Sequence, residues 1–218
     1  MTTFSIVVID TIHYEKSQKA VEATLSTLHG SDGLPCVTKL YWISDKPFTG
    51  DITCEVEWVR IQSIQSYPRD YNWVTLVLLP LIIKEDYFFI VHDDGYAVNS
   101  AAWTNEFLEY DYIGATWPDW CNIKWASSNR VGNGGFTMRS QRLLRALKAT
   151  NLQYETGGED YTICVDNGPL LEQQHNIRFA PPELADRFSI ELNMTSPWLG
   201  HSLGFHGRHG VAGHYGCN

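Results

Sequence analysis

Apolar runs, broken by carboxylates and glycines, divide the first half of the chain into alternating strands and helices. Residues 6–9 are a β-branched run ending at Asp10, the pattern of a short buried strand. Across residues 15–28, Val21, Leu25 and Leu28 recur at i, i+4 and i+7, which predicts a helix with an inward apolar stripe, closed by Gly30 and Gly33. Residues 39–43 form a second strand ending at Ser44 and Asp45, and residues 55–61 alternate like a third. Residues 72–83 predict a mostly apolar helix that Pro80 kinks or shortens. Residues 87–91 are five consecutive apolar, β-favouring residues without polar alternation, so they read as a central strand covered on both faces. The resulting order, β-α-β-β-α-β with strands ending at Asp10, Asp45 and Asp93/Asp94, is that of a nucleotide-binding half of a doubly wound sheet.

The second half is less regular. Residues 107–113 lead into Gly114, and a polar, Trp-rich loop (Trp120, Trp125, Ser127, Ser128, Asn129, Arg130) precedes the segment 131–140. An amphipathic helix is predicted over 141–149 and another over 161–166, opened by Thr156, Gly157, Gly158, Glu159 and Asp160. Residues 177–180 and 187–191 read as late strands, and the tail from His201 is rich in glycine and histidine. With 218 residues, no internal repeat and no Pro- or Ser-rich linker, the chain is expected to form a single domain over 1–218, with a nucleotide-binding half (1–98) and a second half (99–218).

The charge then narrows the partners. A formal net charge of −9 argues against a nucleic-acid partner, and it means that a bound diphosphate needs local help from a metal or a few placed cations. The five cysteines are scattered without C-x-x-C spacing, which suits a reducing compartment, and no basic-then-apolar leader opens the chain. A cytoplasmic location is therefore expected. Residues 73–91 are not expected to span a membrane, because Lys84, Glu85 and Asp86 interrupt them at roughly 2.5–3.5 kcal/mol for each mid-bilayer charge.

The candidate chemistry gathers at a few places. Asp93 and Asp94 follow the central strand, where α/β sheets bind ligands, and two adjacent carboxylates there call for a cation, with Mg²⁺ or Mn²⁺ favoured over zinc. Asp-Asp-Gly is also good turn chemistry, so a capping role stands beside the metal reading. Asp10 and Asp45 at their strand ends suit either a base or ribose hydroxyl or an ordinary cap. Asn133, Gly134 and Gly135 lie in a cluster that fits neither a P-loop nor a Rossmann turn; it reads as backbone close to a ligand or as a bulge. Glu159 and Asp160 follow two glycines at a helix start and suit either a general base or an acidic cap. Among the late histidines (His201, His206, His209, His214), whose spacing matches no helical zinc pair, His206 is the specific candidate to complete a metal site with the Asp pair.

Taken in order, HDDGY (92–96), EYDYIGATWP (109–118), VGNGGFTMRS (131–140), GGED (157–160), FAPPELADRFSIE (179–191) and LGFHG (203–207) resemble the DUF5672 proteins among the GT-A-fold, nucleotide-sugar-dependent glycosyltransferases. The resemblance covers roughly residues 70–210. It implies an α/β, GT-A (Rossmann-like) fold with a central mostly parallel sheet, and a divalent ion, Mn²⁺ or Mg²⁺, between protein and donor diphosphate. On that resemblance the D-x-D motif falls on His92, Asp93 and Asp94. Asp94, His206 and His92 become the metal set, with histidine standing where the motif has its first acid. Asp160, beside Glu159, matches the catalytic base of inverting members. Asp10, Asp45, Asn72, Asp93, Asn133, Gly134, Gly135 and Trp117 become the donor-side candidates, Trp117 as a platform for a sugar face. The implied activity is transfer of a sugar from a nucleoside-diphosphate sugar, UDP-sugar favoured, to a hydroxyl of a glycan or other acceptor. A non-catalytic nucleotide-sugar-binding module or a nucleotide-sugar hydrolase would use the same residues.

Overall fold

The computed structural model describes residues 2–31, 33–121, 123, 130–150, 152, 157–207 and 211–217. Its frame is a six-stranded sheet. Strands β1 (Phe4–Ile9), β2 (Val37–Ser44), β3 (Glu55–Arg60) and β4 (Tyr87–Val91) run parallel, and β6 (Tyr112–Thr116) and β7 (Val131–Ser140) complete it in the order β3-β2-β1-β4-β7-β6. β7 is antiparallel to both of its neighbours. The apolar runs at β1 and β4 are central because each is covered on both faces; every residue of β1 is buried, as are residues 88–91.

Helix α1 (Tyr14–Thr27) lies where the periodicity places it, but its buried positions are Ser17, Ala20, Val21 and Thr24. Small residues let the helix approach closely, and Leu25 is only half-buried. The 72–83 segment differs more. It begins earlier, with π-helical turns at Tyr67–Tyr71 and Val74–Leu78, and becomes regular only in α2 (Leu79–Ile82), which carries Pro80 in its first turn, where proline's missing N–H costs nothing. No helix among the described residues is long and apolar enough to cross a membrane.

Helix α3 (Gln141–Ala149) is capped by the Ser140 side chain, which accepts from Leu143 N at 3.1 Å. α4 (Glu159–Tyr161) runs into a π-helical turn at Thr162–Asp166 and then α5 (Gly168–His175). The predicted late strands are corrected here. Residues 177–180 make only an isolated bridge, Tyr112 to Phe179, and Arg187 and Phe188 end a helix, α6 (Pro182–Phe188). That helix carries Phe188 into the core, stacked 4.9 Å from Phe136 and 6.5 Å from Phe89. Burial of each such ring contributes about 1.5–3 kcal/mol, enough to override the strand preference of the local sequence.

What places the site is a second, three-stranded sheet of β5 (Gly95–Ala97), β9 (Gly204–His206) and β8 (Ser189–Ile190), in the order β5-β9-β8. Its register pairs Gly95 with His206. A residue more than a hundred positions downstream is thereby set beside the Asp93–Asp94 turn. The chain ends with a short helix, α7 (Val211–His214).

Candidate metal and donor site

His92 closes β4 by exchanging backbone hydrogen bonds with Gly95 (2.9 and 3.2 Å), so that Asp93 and Asp94 form the tip of a tight turn. A side chain on Gly95 would meet the carbonyl oxygen of Gly135 at 2.8 Å, which explains the glycine there. His206 arrives from β9 with its Nε2 3.6 Å from an Asp94 oxygen. Its Nδ1 lies 2.9 Å from Asn133 Oδ1 and 3.2 Å from Glu191 Oε1. Two acceptors on that side place the proton on Nδ1 and leave the Nε2 lone pair facing Asp94, the way metal-binding histidines are oriented. Ligand atoms of His92, Asp94 and His206 lie within 4.8 Å of one another. His92 Nε2 is 2.6 Å from the Tyr71 hydroxyl, which holds the ring in place.

The electrostatics act oppositely on the two histidines. Burial, with His206 and Arg139 nearby, lowers the pKa of His92 to about 3 and keeps its ring neutral. For His206 burial also works downward, but Glu191, Asp94 and Asp160 outweigh it and raise the pKa. One carboxylate oxygen and two imidazole nitrogens fit a divalent ion of intermediate hardness, Mn²⁺ better than Mg²⁺, which prefers oxygen alone.

Glycines of β7 bring the second acidic pair in. Gly135 leaves room for the His206 ring, since a Cβ there would fall 2.0 Å from its Nε2. Gly134 leaves room for Glu159, whose Oε1 would be 2.7 Å from a Cβ. These glycines thus face the protein's own site residues across the strand. Gly134 N donates to Asp160 Oδ2 at 3.1 Å, and Tyr161 N to Oδ1 at 2.7 Å. Burial, reinforced by the Glu159 charge, still pushes the Asp160 carboxyl up to about 7. Glu159 itself is turned inward, 2% exposed, and paired with Arg139 at 2.5 Å.

The other candidates are distributed around this centre. Asp10 accepts from Ile12 N (2.7 Å), His13 N (2.9 Å) and Ser17 Oγ (2.5 Å), so its carboxylate closes the turn into α1. Asp45 accepts from Ser63 and Tyr14 hydroxyls, both at 2.7 Å, which lower its pKa, and it lines neither cavity described below. Asn72 is buried and donates to Gly157 O at 3.0 Å, tying the irregular helical stretch to the loop before Asp160. Trp117 is 8% exposed and packs over Gly132 and beside Tyr161, at 6.3 Å between ring centroids. Trp125, Ser127, Ser128, Asn129, Thr156 and His209 lie outside the described residues.

Tyr71, Arg139 and Glu191 belong to the site but were not singled out by pattern. Arg139 carried a signal, being a lone charge inside an apolar strand sequence that must find a partner when buried. Glu191 and Tyr71 carried none, since only the fold turns them inward.

Two cavities meet at Asp93. One, about 210 Å³, runs along the C-terminal ends of β1 and β4 between Asp10, Ile64, Tyr67, Tyr71 and His92. The other, about 480 Å³, lies between α1 and the Asp94 turn. Both open where parallel strands end, the usual ligand crevice of such sheets.

A family model described as "Protein of unknown function (DUF5672)" matches residues 79–206. No curated protein matches the sequence. Among solved structures, a glycosyltransferase involved in the glycosylation of the major capsid of PBCV-1 aligns over 98% of both chains, with a TM-score of 0.52 at 14% identity. A mutant of Drosophila beta-1,4-galactosyltransferase 7, in complex with manganese, UDP-Gal and xylobiose, aligns over 95% of this chain and 71% of its own, with a TM-score of 0.50 at 11% identity. The chain belongs to the DUF5672 family, built on the GT-A fold of these glycosyltransferases.

Proposed function

We propose that this protein is an inverting glycosyltransferase that moves a sugar from a nucleoside-diphosphate sugar to an acceptor hydroxyl. The observation that carries this is a group that could hold a divalent ion, His92, Asp94 and His206, close to a carboxyl poised near neutrality, Asp160, whose charge acts on His206. A general base works best when its pKa lies near the operating pH. Asp160 accepts the hydroxyl proton as the acceptor oxygen bonds to the anomeric carbon. The bond from that carbon to the diphosphate oxygen breaks on the opposite face, and the nucleoside diphosphate leaves with the electron pair.

Asp94, His206 and His92 would hold a divalent cation, with Asn133 and Glu191 orienting His206. When bound, a divalent ion there neutralises charge on the leaving diphosphate. Glu159, anchored by Arg139, holds the backbone at Asp160 through its 2.6 Å contact with Asp160 N. The cavity beside Asp10, Tyr67 and Tyr71 takes the nucleoside, and a UDP-sugar is the favoured donor.

The test is a thermal-shift panel of UDP-, GDP- and dTDP-sugars with Mn²⁺ or chelator, followed by transfer assays. One donor class should stabilise the fold more with Mn²⁺. Asp160→Asn should retain that shift while losing transfer, and Asp94→Asn should lose the Mn²⁺-dependent part. Near-normal turnover by Asp160→Asn would overturn the base assignment.

A further inference from the structure

The cavity beside Asp94 has a cationic wall with no role in the transfer chemistry above. Lys16 and Lys19 stand three residues apart on α1, so they share one helix face. Both are exposed, and both line the 480 Å³ cavity opposite Asp93, Asp94 and Tyr96. Among the described residues neither enters an ion pair. Among the described residues, Arg139 is a further cation near the cluster, but it is 1% exposed and paired with Glu159.

The charge balance gives the lysines a role. The cluster offers one carboxylate and two imidazoles, so a divalent ion there keeps about one positive charge towards a ligand. A nucleoside diphosphate carries more negative charge than that, and the protein adds a net −9 of its own. Further cations facing this crevice would balance the remaining negative charge of such an anion. Lys16 and Lys19 are placed to do so, in the cavity that shares Asp93 with the nucleoside pocket.

We propose that Lys16 and Lys19 form an anion-binding wall on α1 that takes the phosphate groups of a nucleoside diphosphate across from Asp94. This rests on the reading of the crevice as a nucleotide-sugar site and adds the residues that hold its charged part. Both side chains are exposed, so substitutions there leave the core intact.

The experiment is calorimetric titration of the full chain with UDP, GDP and dTDP, and with the corresponding nucleosides, in Mn²⁺ and in chelator. For the nucleotide that binds wild type, Lys16→Ala/Lys19→Ala should weaken binding roughly tenfold or more, since two charge-assisted contacts are lost. The parent nucleoside should bind both proteins alike, and Lys16→Arg/Lys19→Arg should bind the nucleotide within roughly threefold of wild type. Equal nucleotide affinity in wild type and the double alanine variant would overturn the wall and leave the nucleotide-site reading intact. Binding of no nucleotide by wild type would overturn both.

Discussion

Gly135→Ala is the sharpest probe of how the site is assembled. Gly135 lies in ordinary strand backbone, so only the space around its missing side chain matters. A Cβ there would fall 2.0 Å from both Nε2 and Cδ2 of His206. Ordinary contact begins near 3.4 Å, so the ring must retreat by about 1.4 Å or more. It cannot do so and keep its 2.9 Å contact to Asn133 and 3.2 Å contact to Glu191. Two hydrogen bonds at about 0.5–1.5 kcal/mol each, with overpacking at about 1–3 kcal/mol, give an expected loss of about 2–6 kcal/mol. For a chain of this size that lowers the melting temperature by about 4–24 °C. Mn²⁺ affinity should fall about 10- to 100-fold, as when a metal ligand loses its orientation. The assays are thermal melting and Mn²⁺ titration by electron paramagnetic resonance. Gly213→Ala is the control: an added Cβ there meets nothing within 4 Å, and it should change stability by no more than about 0.5 kcal/mol. If Gly135→Ala melted and bound Mn²⁺ like wild type, the placement of His206 against β7 would be wrong.

Two further outcomes follow from the buried charges. Arg139→Met leaves Glu159 buried without its partner and should cost about 3–5 kcal/mol in urea unfolding, while Arg139→Met/Glu159→Met should recover much of it; a single-variant loss under about 1 kcal/mol would contradict the pairing. Asp160 binds its proton more tightly in the folded chain than in the unfolded one, with a folded pKa of about 7 against 3.8. Its contribution to stability is therefore present at low pH and lost as pH rises towards and through 7. Relative to wild type, Asp160→Asn should thus gain stability as pH rises from about 4 to about 7, by the sign of that shift. The wild-type rate should instead rise with pH on a limb near 7. A flat rate profile, or a stability difference that runs the other way, would remove the buried-base explanation.

Much of the frame was legible because burial leaves a local trace. The apolar runs at β1 and β4 and the stripe in α3 each depend only on which residues face the core, whereas β3 forms as read but leaves Val56 and Trp58 exposed at the edge of the sheet. The misreadings fall where tertiary contacts outvote local pattern. Residues 187–191 look like a strand, but only Ser189–Ile190 form one (β8), and Phe188 closes α6 because its ring completes a stack with Phe89 and Phe136. A start signal for that helix was present, with Pro182 at its first position and Glu183 in the first turn. α5 likewise opens with Pro169 and ends at Asn176 in the left-handed conformation, a helix-stop residue.

The sequence alone determined that two carboxylates end a central strand, that a glycine cluster and a second acidic pair follow, and that a late histidine stands between glycines. Those are properties of single segments. Only the tertiary structure decided that Gly95 pairs with His206, that Glu159 is turned inward onto Arg139, and that Asp160 is shielded enough to hold a proton near neutrality. Distance and desolvation are properties of the folded chain as a whole, because each is set by residues tens to more than a hundred positions away along the backbone.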